Sequence, residues 1–256
     1  MALRCRSLGS GSRGNATLVE TDESLVLVDC GFSAAEVERR IASAGYRVDD
    51  LDAILVTHEH GDHVRGADTL SRRYEIPVWL TPGCKLAMGS AEFHAPTLIS
   101  SHAEFCVKDL RIQPFPVPHD AREPCQFVFS NGTQQLGLLT DLGCVTPHIL
   151  AVLRDCTGLL LEFNYERPLL MAGSYPESLK HRIDGAWGHL SNRQACELLV
   201  QLDRSRLRFV VGMHLSEQNN TPERVRTLLS QAVSGHDIET EIADQHSGCR
   251  WFELDG

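Results

Sequence analysis

The sequence predicts an α/β protein in which two mixed β-sheets are flanked by helices. Short apolar runs typical of strands alternate with capped amphipathic segments typical of helices along the whole length. No linker, repeat or low-complexity tract divides the chain. Of the 256 residues, 42% are hydrophobic and 23% are charged, which is ordinary for a globular protein and argues against disorder. We therefore expect residues 1–256 to form one domain.

The first half of the chain contains short apolar runs bounded by glycine and polar residues, a pattern typical of strands. These runs cover residues 4–8, 16–19, 25–28, 53–56 and 78–80. A helix is predicted over 33–44, because Ser33 is a capping residue followed by Glu36, and Val37 and Ile41 recur at helical spacing. A second helix is predicted over 64–74.

The second half repeats this mixture. Asn131-Gly132 separates two apolar runs and is a hairpin signal. Helices are predicted over 146–153 and 191–202 and from Thr221 onward. The strand patterns cover residues 110–115, 126–130, 134–139, 159–162, 208–211, 238–242 and 250–253.

Charge and cysteine content narrow the class of protein. The formal net charge of −10 disfavours non-specific binding to polyanions, which depends on contacts between basic residues and phosphates. The nine cysteines are too far apart for a cysteine-based zinc site. Without an export signal they predict reduced thiols and a cytoplasmic location. No apolar run reaches the length of a membrane span, so no membrane contact is expected. The sequence does not determine the oligomeric state, and a dimer is one alternative.

The segment Thr57 to His63 contains the strongest functional signal. It places His58, His60, Asp62 and His63 directly after a buried strand. Chance alone gives this pattern in roughly one of several hundred chains of such composition. Alternate residues of an extended segment point to the same side, so His58 and His60 can bind one metal ion. Asp62 and His63 follow a turn and can reach a second ion.

Polar residues also end four other apolar runs. They are Asp29, His119, Asp141 and His214. A single histidine at a strand end is more often structural than a metal ligand. Together, however, these positions predict one site at a common edge of the fold.

With these residues the sequence resembles the metallo-β-lactamase-fold hydrolases over essentially its whole length. The resemblance implies a four-layer αββα sandwich with two divalent metal ions at one edge. It implies that one ion is held by His58, His60 and His119 and the other by Asp62, His63 and His214. Asp141 would bridge the two ions. Asp29 would accept a hydrogen bond from a ligand histidine, although an aspartate in a solvated turn is the alternative.

Further motifs resemble a bacterial branch of this fold that contains DNA exonucleases and cyclic phosphoribosyl phosphodiesterases. They are residues 9–15, 161–165, 188–192 and 214–220. The resemblance makes His189 a candidate general acid, with a locally bonded histidine near a helix start as the alternative. Asp62 is also a candidate catalytic residue. The candidate substrate contacts are Ser12 and Asn15, in a loop that can bind an anion or be a simple hairpin turn, and Asn164 and Ser216.

The expected function is a binuclear phosphodiesterase that uses a metal-bridging hydroxide, acting on single-stranded DNA as a 5′–3′ exonuclease or on a small cyclic phosphodiester. The ligand types favour Zn²⁺, with Mn²⁺ or Fe²⁺ as alternatives. An aspartate at position 141 disfavours a true β-lactamase, where the resemblance would imply a cysteine. Two alternatives remain: a thioester or other ester hydrolase of the same fold, and a metal-binding sensor without turnover.

Overall fold

The computed structural model describes residues 2–255 and contains two seven-stranded sheets. The strands, in chain order, are β1 (Leu3–Gly9), β2 (Ala16–Glu20), β3 (Leu25–Val28), β4 (Ala53–Leu55), β5 (Val78–Leu80), β6 (Pro96–Leu98), β7 (Phe105–Val107), β8 (Leu110–Pro116), β9 (Cys125–Ser130), β10 (Gln135–Leu139), β11 (Gly158–Glu162), β12 (Phe209–Met213), β13 (Glu239–Ile242) and β14 (Phe252–Leu254). The first sheet has the order β14-β1-β2-β3-β4-β5-β6, and the second has the order β13-β12-β11-β10-β9-β8-β7.

Both sheets are mixed. In the first, β3, β4, β5 and β6 are parallel to one another, and the pairs from β14 to β3 are antiparallel. In the second, β10 to β13 are parallel, and β7 to β10 are joined by antiparallel pairing. The parallel half of each sheet therefore ends at a common edge.

Helices flank or connect the strands of the two sheets. They are α1 (Ala34–Ser43), α2 (Gly61–Val64), α3 (Ala67–Tyr74), α4 (Pro82–Ala87), α5 (Pro147–Leu153), α6 (Arg167–Ala172), α7 (Glu177–Ile183), α8 (Asn192–Gln201) and α9 (Pro222–Ala232). A 3₁₀ turn spans Val48–Asp50. None of the helices in the described part of the chain has the length and apolar character needed to cross a bilayer.

Three apolar clusters among the described residues hold these layers together. The central cluster lies between the sheets and includes Phe127, Phe129 and Leu160, which are fully buried. A second cluster joins the first sheet to α1 and α3, with Val37 and Ile41 of α1 in contact with it. A third joins the other sheet to α5, α8 and α9. Helices, sheet, sheet and helices are thus stacked in four layers, which confirms the predicted αββα architecture.

Local sequence signals explain most helix starts. Ser33 accepts a hydrogen bond from the backbone N–H of Glu36, 3.4 Å away, at the start of α1. At α8, Ser191 and Gln194 form a reciprocal capping box. Thr146 and Thr221 cap α5 and α9, and each is followed by a proline, which fits the first turn of a helix.

One predicted helix is interrupted. The pattern over 64–74 is split between α2 and α3, because the N–H of Gly66 donates to the carbonyl oxygen of Cys30 at 2.9 Å. That contact ties the chain to the end of the first sheet, beside the histidine-rich loop. The structure also contains short elements that the sequence did not predict, namely α4, β6, β7, α6 and α7.

Candidate metal centre

Polar side chains gather at the edge of the sandwich where parallel strands of both sheets end. In the first sheet Asp29 follows β3 and His58 lies just beyond β4. In the second sheet Asp141 lies just beyond β10 and His214 follows β12. Donor atoms of His58 and Asp141, which come from different sheets, belong to one group whose atoms lie within 4.8 Å of one another. The site is therefore built across the two sheets.

The backbone at this edge adopts an unusual conformation. Asp29, Asp141 and His214 have φ values of 60°, 54° and 53°, in the left-handed region that non-glycine residues rarely adopt. Each residue comes directly or nearly directly after a strand, so the chain turns sharply where its side chain enters the cluster. Such strain costs about 1–3 kcal/mol per residue and is typical of functional sites.

A first donor set contains three histidines. His58, His60 and His119 each offer a ring nitrogen, and these atoms lie within 4.8 Å of one another. Nδ1 of His119 donates to the carbonyl oxygen of Gly188 at 2.9 Å. Thr57 Oγ1 lies 3.0 Å from Nδ1 of His58 and can accept from it. In both rings Nδ1 is thus engaged by the protein, and Nε2 is the nitrogen available to a ligand.

A second donor set contains Asp62, His63 and His214. Nε2 of His63 and Nε2 of His214 each lie 3.5 Å from Oδ2 of Asp62. Nδ1 of His63 donates to Oδ2 of Asp29 at 2.7 Å. Asp29 also accepts from the backbone N–H of Thr57 at 2.9 Å, which holds the carboxylate in place. This carboxylate fixes both the orientation and the tautomer of His63.

Asp141 contacts two members of the second donor set and lies close to one member of the first. Its Oδ2 lies 3.1 Å from Nε2 of His63, and its Oδ1 lies 3.0 Å from Nδ1 of His214. One of its oxygens also forms a group of three donor atoms with a ring nitrogen of His58, from the first donor set, and one of His63, and these three atoms lie within 4.8 Å of one another. The carboxylate is therefore in the position that an ion-bridging ligand requires.

Several buried atoms of the cluster lack a hydrogen bond. Nε2 of His58, Oδ2 of Asp141 and Nδ1 of His214 are buried without a partner at hydrogen-bond geometry, although oppositely charged groups lie close to two of them. An unsatisfied buried polar group costs about 1–3 kcal/mol. Imidazole nitrogens and carboxylate oxygens are ligands for divalent transition metals. The residues present therefore fit divalent metal ions.

The electrostatics of the cluster are dominated by burial and by mutual contact. Burial disfavours the charged form of Asp141, but His214 and His63 hold the pKa of its carboxyl well below the usual range. Burial likewise opposes charge on His63, yet the carboxylates of Asp141 and Asp29 raise its pKa well above the ordinary value. His58 behaves differently, because burial and the neighbouring His63 lower its pKa. His58 is thus held as a neutral imidazole, the form that binds metals.

Glu162 is a site residue to which the sequence interpretation gave no role. It ends β11 and is fully buried. Its carboxylate accepts from Nδ1 of His189 at 2.8 Å and from the backbone N–H of Leu190 at 2.9 Å. Burial lowers the pKa of His189, but Glu162 more than offsets this and raises it above the ordinary value. The feature of the sequence that points to Glu162 is its position as the last residue of an otherwise apolar strand, Gly158–Glu162.

The structure places His189 at the rim of the cluster. Its side chain is 22% exposed, and Nδ1 lies 3.4 Å from Oδ1 of Asp141. Its ring centroid lies 5.3 Å from that of His119 and 5.4 Å from that of His214. His189 is therefore next to both donor sets while remaining open to solvent.

The predicted substrate contacts differ in position. Ser12 is exposed, and Asn15 is buried with Nδ2 3.2 Å from Nε2 of His63. Asn164 is buried and donates to the carbonyl oxygen of His214 at 2.9 Å. Ser216 is buried as well and accepts from the backbone N–H of Asn219 at 3.2 Å. Only Ser12 of the four has a freely exposed side chain, and the others bond within the framework of the site.

Comparison with known proteins agrees with this geometry. The family model described as "Beta-lactamase superfamily domain" matches residues 25–214. Exodeoxyribonuclease YycJ of Bacillus anthracis is 34% identical over 237 residues, which cover 91% of this chain and 90% of that protein. Exodeoxyribonuclease WalJ of Streptococcus pneumoniae serotype 2 (strain D39 / NCTC 7466) is 32% identical over 247 residues, which cover 93% of this chain and 92% of that protein.

Solved structures share the fold at low sequence identity. The metallo-beta-lactamase fold protein YhfI from Bacillus subtilis superposes with a TM-score of 0.75 at 14% identity, covering 99% of both chains. A diphosphatase from the PhnP family superposes with a TM-score of 0.71 at 17% identity, covering 99% of this chain and 98% of the other. The matched segment and the similarity over nine-tenths of the chain show that this protein belongs to the β-lactamase superfamily, as a metal-dependent hydrolase of the metallo-β-lactamase fold.

Proposed function

We propose that this protein is a phosphodiesterase that binds two divalent metal ions and degrades single-stranded DNA as a 5′–3′ exonuclease. The observation that carries the proposal is the pair of donor sets linked by Asp141, with His189 at their rim. Two such ions are the usual apparatus for in-line displacement at phosphorus. The names of the relatives from Bacillus anthracis and Streptococcus pneumoniae support DNA as the substrate.

The proposed ligands of one ion are His58, His60 and His119, and those of the other are Asp62, His63 and His214, with Asp141 shared. When bound, the ions would supply Lewis acidity to the phosphoryl oxygens and lower the pKa of water. The mixed nitrogen and carboxylate donors favour Zn²⁺, with Mn²⁺ and Fe²⁺ as the alternatives.

His189 is the proposed general acid. Because Nδ1 donates to Oε1 of Glu162 at 2.8 Å, Nε2 is the nitrogen left to protonate a departing alkoxide. Glu162 also raises the pKa of His189 and so favours its protonated form. The partial exposure of the ring lets a leaving group approach. Glu162 is thus a positioning residue that acts through His189.

The proposal also includes a single domain and a cytoplasmic location. The packing of the chain ends supports the first, and the state of the cysteines supports the second. Leu3, Phe252 and Leu254, from the two ends of the chain, pack in the same cluster as Phe209 and Phe129, which supports one domain over residues 1–256. All nine cysteines are free thiols, which supports a reducing compartment such as the cytoplasm.

The metal mechanism is tested with bis(p-nitrophenyl) phosphate and added Mn²⁺ or Zn²⁺. We expect His60→Ala to lower kcat/KM by more than the roughly 10–100-fold loss that follows removal of an outer partner of a ligand. His102→Ala is the matched control, since His102 is exposed and lies outside the cluster. Equal activity of the two variants would refute the mechanism.

The substrate class is tested by comparing 5′-phosphorylated single-stranded DNA, labelled at its 3′ end, with cyclic ribose phosphates. Progressive shortening of the DNA from its 5′ end is expected. Turnover of the cyclic substrates alone would identify a small-molecule phosphodiesterase instead.

The role of His189 as general acid is tested by comparing substrates whose leaving groups differ in their need for a proton. A general acid contributes about 10²–10⁴-fold when the leaving group is a poor one. We expect His189→Ala to slow DNA hydrolysis by that factor, and to slow release of p-nitrophenolate, a leaving group that needs no proton, far less. An equal loss with both substrates would exclude His189 as the acid.

A further inference from the structure

Trp187 is the most solvent-exposed of the large hydrophobic side chains in the described part of the chain, at 64%. A single exposed apolar side chain is normal on a protein surface, so exposure alone carries no conclusion. The position of this residue is what distinguishes it. Trp187 lies in the short loop between α7 and α8, two residues before His189.

The loop around Trp187 is held rigidly. A Cβ atom at Gly143 would lie 2.3 Å from the carbonyl carbon of Ala186 and 2.5 Å from the backbone nitrogen of Gly188, so only glycine permits this contact. The N–H of His189 donates to the carbonyl oxygen of Ile183 at 3.0 Å. The indole is therefore presented on a fixed backbone, which reduces the entropy cost of binding a partner.

The same loop forms part of the metal centre. The carbonyl oxygen of Gly188, next to Trp187 in the chain, accepts the hydrogen bond from Nδ1 of His119. His189 is the proposed acid, and its Cα lies within about 7 Å of the Cα of Trp187, because two residues span no more than that distance. The loop that carries Trp187 therefore also carries the proposed acid and a hydrogen-bond acceptor of the metal centre.

A basic side chain and a second aromatic ring lie beside the loop. Arg182 forms an ion pair with Asp120 and has a 59% exposed side chain. Both residues line a cleft of about 170 Å³ that also contains Tyr175 and His189. Sites for single-stranded nucleic acids combine aromatic side chains, on which bases stack, with basic groups along the backbone. The segment 175–189 contains both components, in Tyr175, Arg182 and Trp187, and Trp187 itself lies outside the lining of the cleft.

We propose that Trp187 stacks on the base of the nucleotide that carries the leaving oxygen in a single-stranded nucleic-acid substrate, with Arg182 beside the phosphate backbone. The inference rests on the proposed function and deepens it, because it assigns a base-binding position to one side of the scissile bond. A phosphodiester without a base would gain little from this contact.

The test is steady-state kinetics of Trp187→Ala and Trp187→Phe with single-stranded DNA and with methyl p-nitrophenyl phosphate. Loss of one stacked base is worth roughly 5- to 150-fold in affinity. We expect Trp187→Ala to raise KM for DNA by that factor and to change kcat/KM for the small substrate far less. Trp187→Phe, which keeps a ring for stacking, is expected to restore most of the affinity. Leu86→Ala is the matched control, since Leu86 is 63% exposed on another part of the surface.

A substrate with an abasic leaving-side nucleotide makes the test specific. The wild-type protein should bind it as weakly as Trp187→Ala binds normal DNA, and the variant should lose nothing further. A KM for DNA unchanged in Trp187→Ala overturns the inference. So does an equal loss with both substrates, which indicates that the indole only supports the loop. A change in molecular mass by light scattering with unchanged KM would assign Trp187 to a protein interface.

Failure of the inference is distinguishable from failure of the proposed function. If His60→Ala abolishes hydrolysis of the small substrate while Trp187→Ala leaves KM for DNA unchanged, only the stacking role is wrong. If His60→Ala hydrolyses the small substrate as the wild-type protein does, the metal mechanism itself is wrong.

Discussion

Replacing Asp29 by asparagine tests whether an outer carboxylate controls the metal centre. Oδ2 of Asp29 accepts from Nδ1 of His63 at 2.7 Å, and Oδ1 accepts from the backbone N–H of Thr57 at 2.9 Å. In Asp29→Asn the amide oxygen must stay with Thr57, because a backbone N–H can only donate. The amide NH₂ group then faces His63, so Nδ1 has to accept and the ring proton moves to Nε2.

That proton blocks the nitrogen that faces the cluster. Nε2 of His63 lies 3.1 Å from Oδ2 of Asp141, and a protonated ring nitrogen cannot bind a metal ion. Loss of such an outer partner typically weakens metal affinity by about 10–100-fold, which corresponds to about 1.4–2.7 kcal/mol. We expect a loss of this size in Asp29→Asn, with the shape of the side chain preserved.

The measurement is a competition titration of metal-free protein with Zn²⁺ or Mn²⁺ against a chelator. Asp109→Asn is the matched control. Oδ1 of Asp109 accepts from the hydroxyls of Thr21 and Ser24 at 2.6 Å, at the opposite end of β3 from the candidate metal centre. The control should bind metal as the wild-type protein does. Affinity within about twofold of wild type in Asp29→Asn would refute the tautomer argument.

Three further predictions concern stability. Chelation of bound metal should lower Tm, since a ligand at a hundred times its Kd stabilises by about 2.7 kcal/mol, and an unchanged Tm would contradict metal binding. Arg39 and Arg40 lower the pKa of Glu36 from 4.5 to about 2, so the ion pair stabilises the fold above pH 4.5 and is lost as the pH falls toward 2. Because Glu36 is on the surface, Glu36→Gln should lower the free energy of unfolding, measured in urea at neutral pH, by about 1 kcal/mol or less. A loss that increased as the pH was lowered would refute the predicted direction of this pH dependence. Phe129→Ala, in the apolar cluster between the sheets, should lower the free energy of unfolding by about 3–5 kcal/mol. A loss below about 1 kcal/mol would show that the neighbouring side chains repack into the space left by the ring.

The sequence predicted the position of the cluster because each polar residue interrupts an apolar run. A strand with buried neighbours on both sides is nearly all apolar, as in Leu25–Val28 and Phe209–Met213. Asp29 and His214 therefore mark strand ends at the first residue where the pattern fails. Parallel pairing within each sheet then brings these ends to one edge, without any need to know the loops between them.

The role of Glu162 was not predictable in the same way. Its position at the end of β11 was visible, but its partner His189 lies 27 residues away along the chain. The contact exists because the loop before α8 folds back over the strand end, and that loop is set by backbone packing at Gly143. Packing between backbone segments leaves little trace in hydrophobic periodicity.

The elements that the sequence did not predict are all too short to produce a clear sequence pattern. β6 is an exposed edge strand of three residues that begins with Pro96, which suits a sheet edge because proline donates no ladder hydrogen bond. α6 and α7 have six and seven residues, too few for two full turns of amphipathic pattern. These short elements are stabilised by tertiary contacts rather than by their own sequence.

The metal centre joins the two sheets, and this explains why strained backbone is tolerated there. Asp29 belongs to the first sheet, whereas Asp141 and His214 belong to the second, and all three have positive φ. About 1–3 kcal/mol of strain at each residue is small beside the stabilisation that the buried clusters on both sides of each sheet provide. Because the strand ends cannot relax without separating from those clusters, the fold keeps the donor atoms close together before any ion binds. Preorganisation of this kind reduces the free energy spent on ordering ligands, so the affinity of the site depends on the packing between the sheets as well as on its ligands.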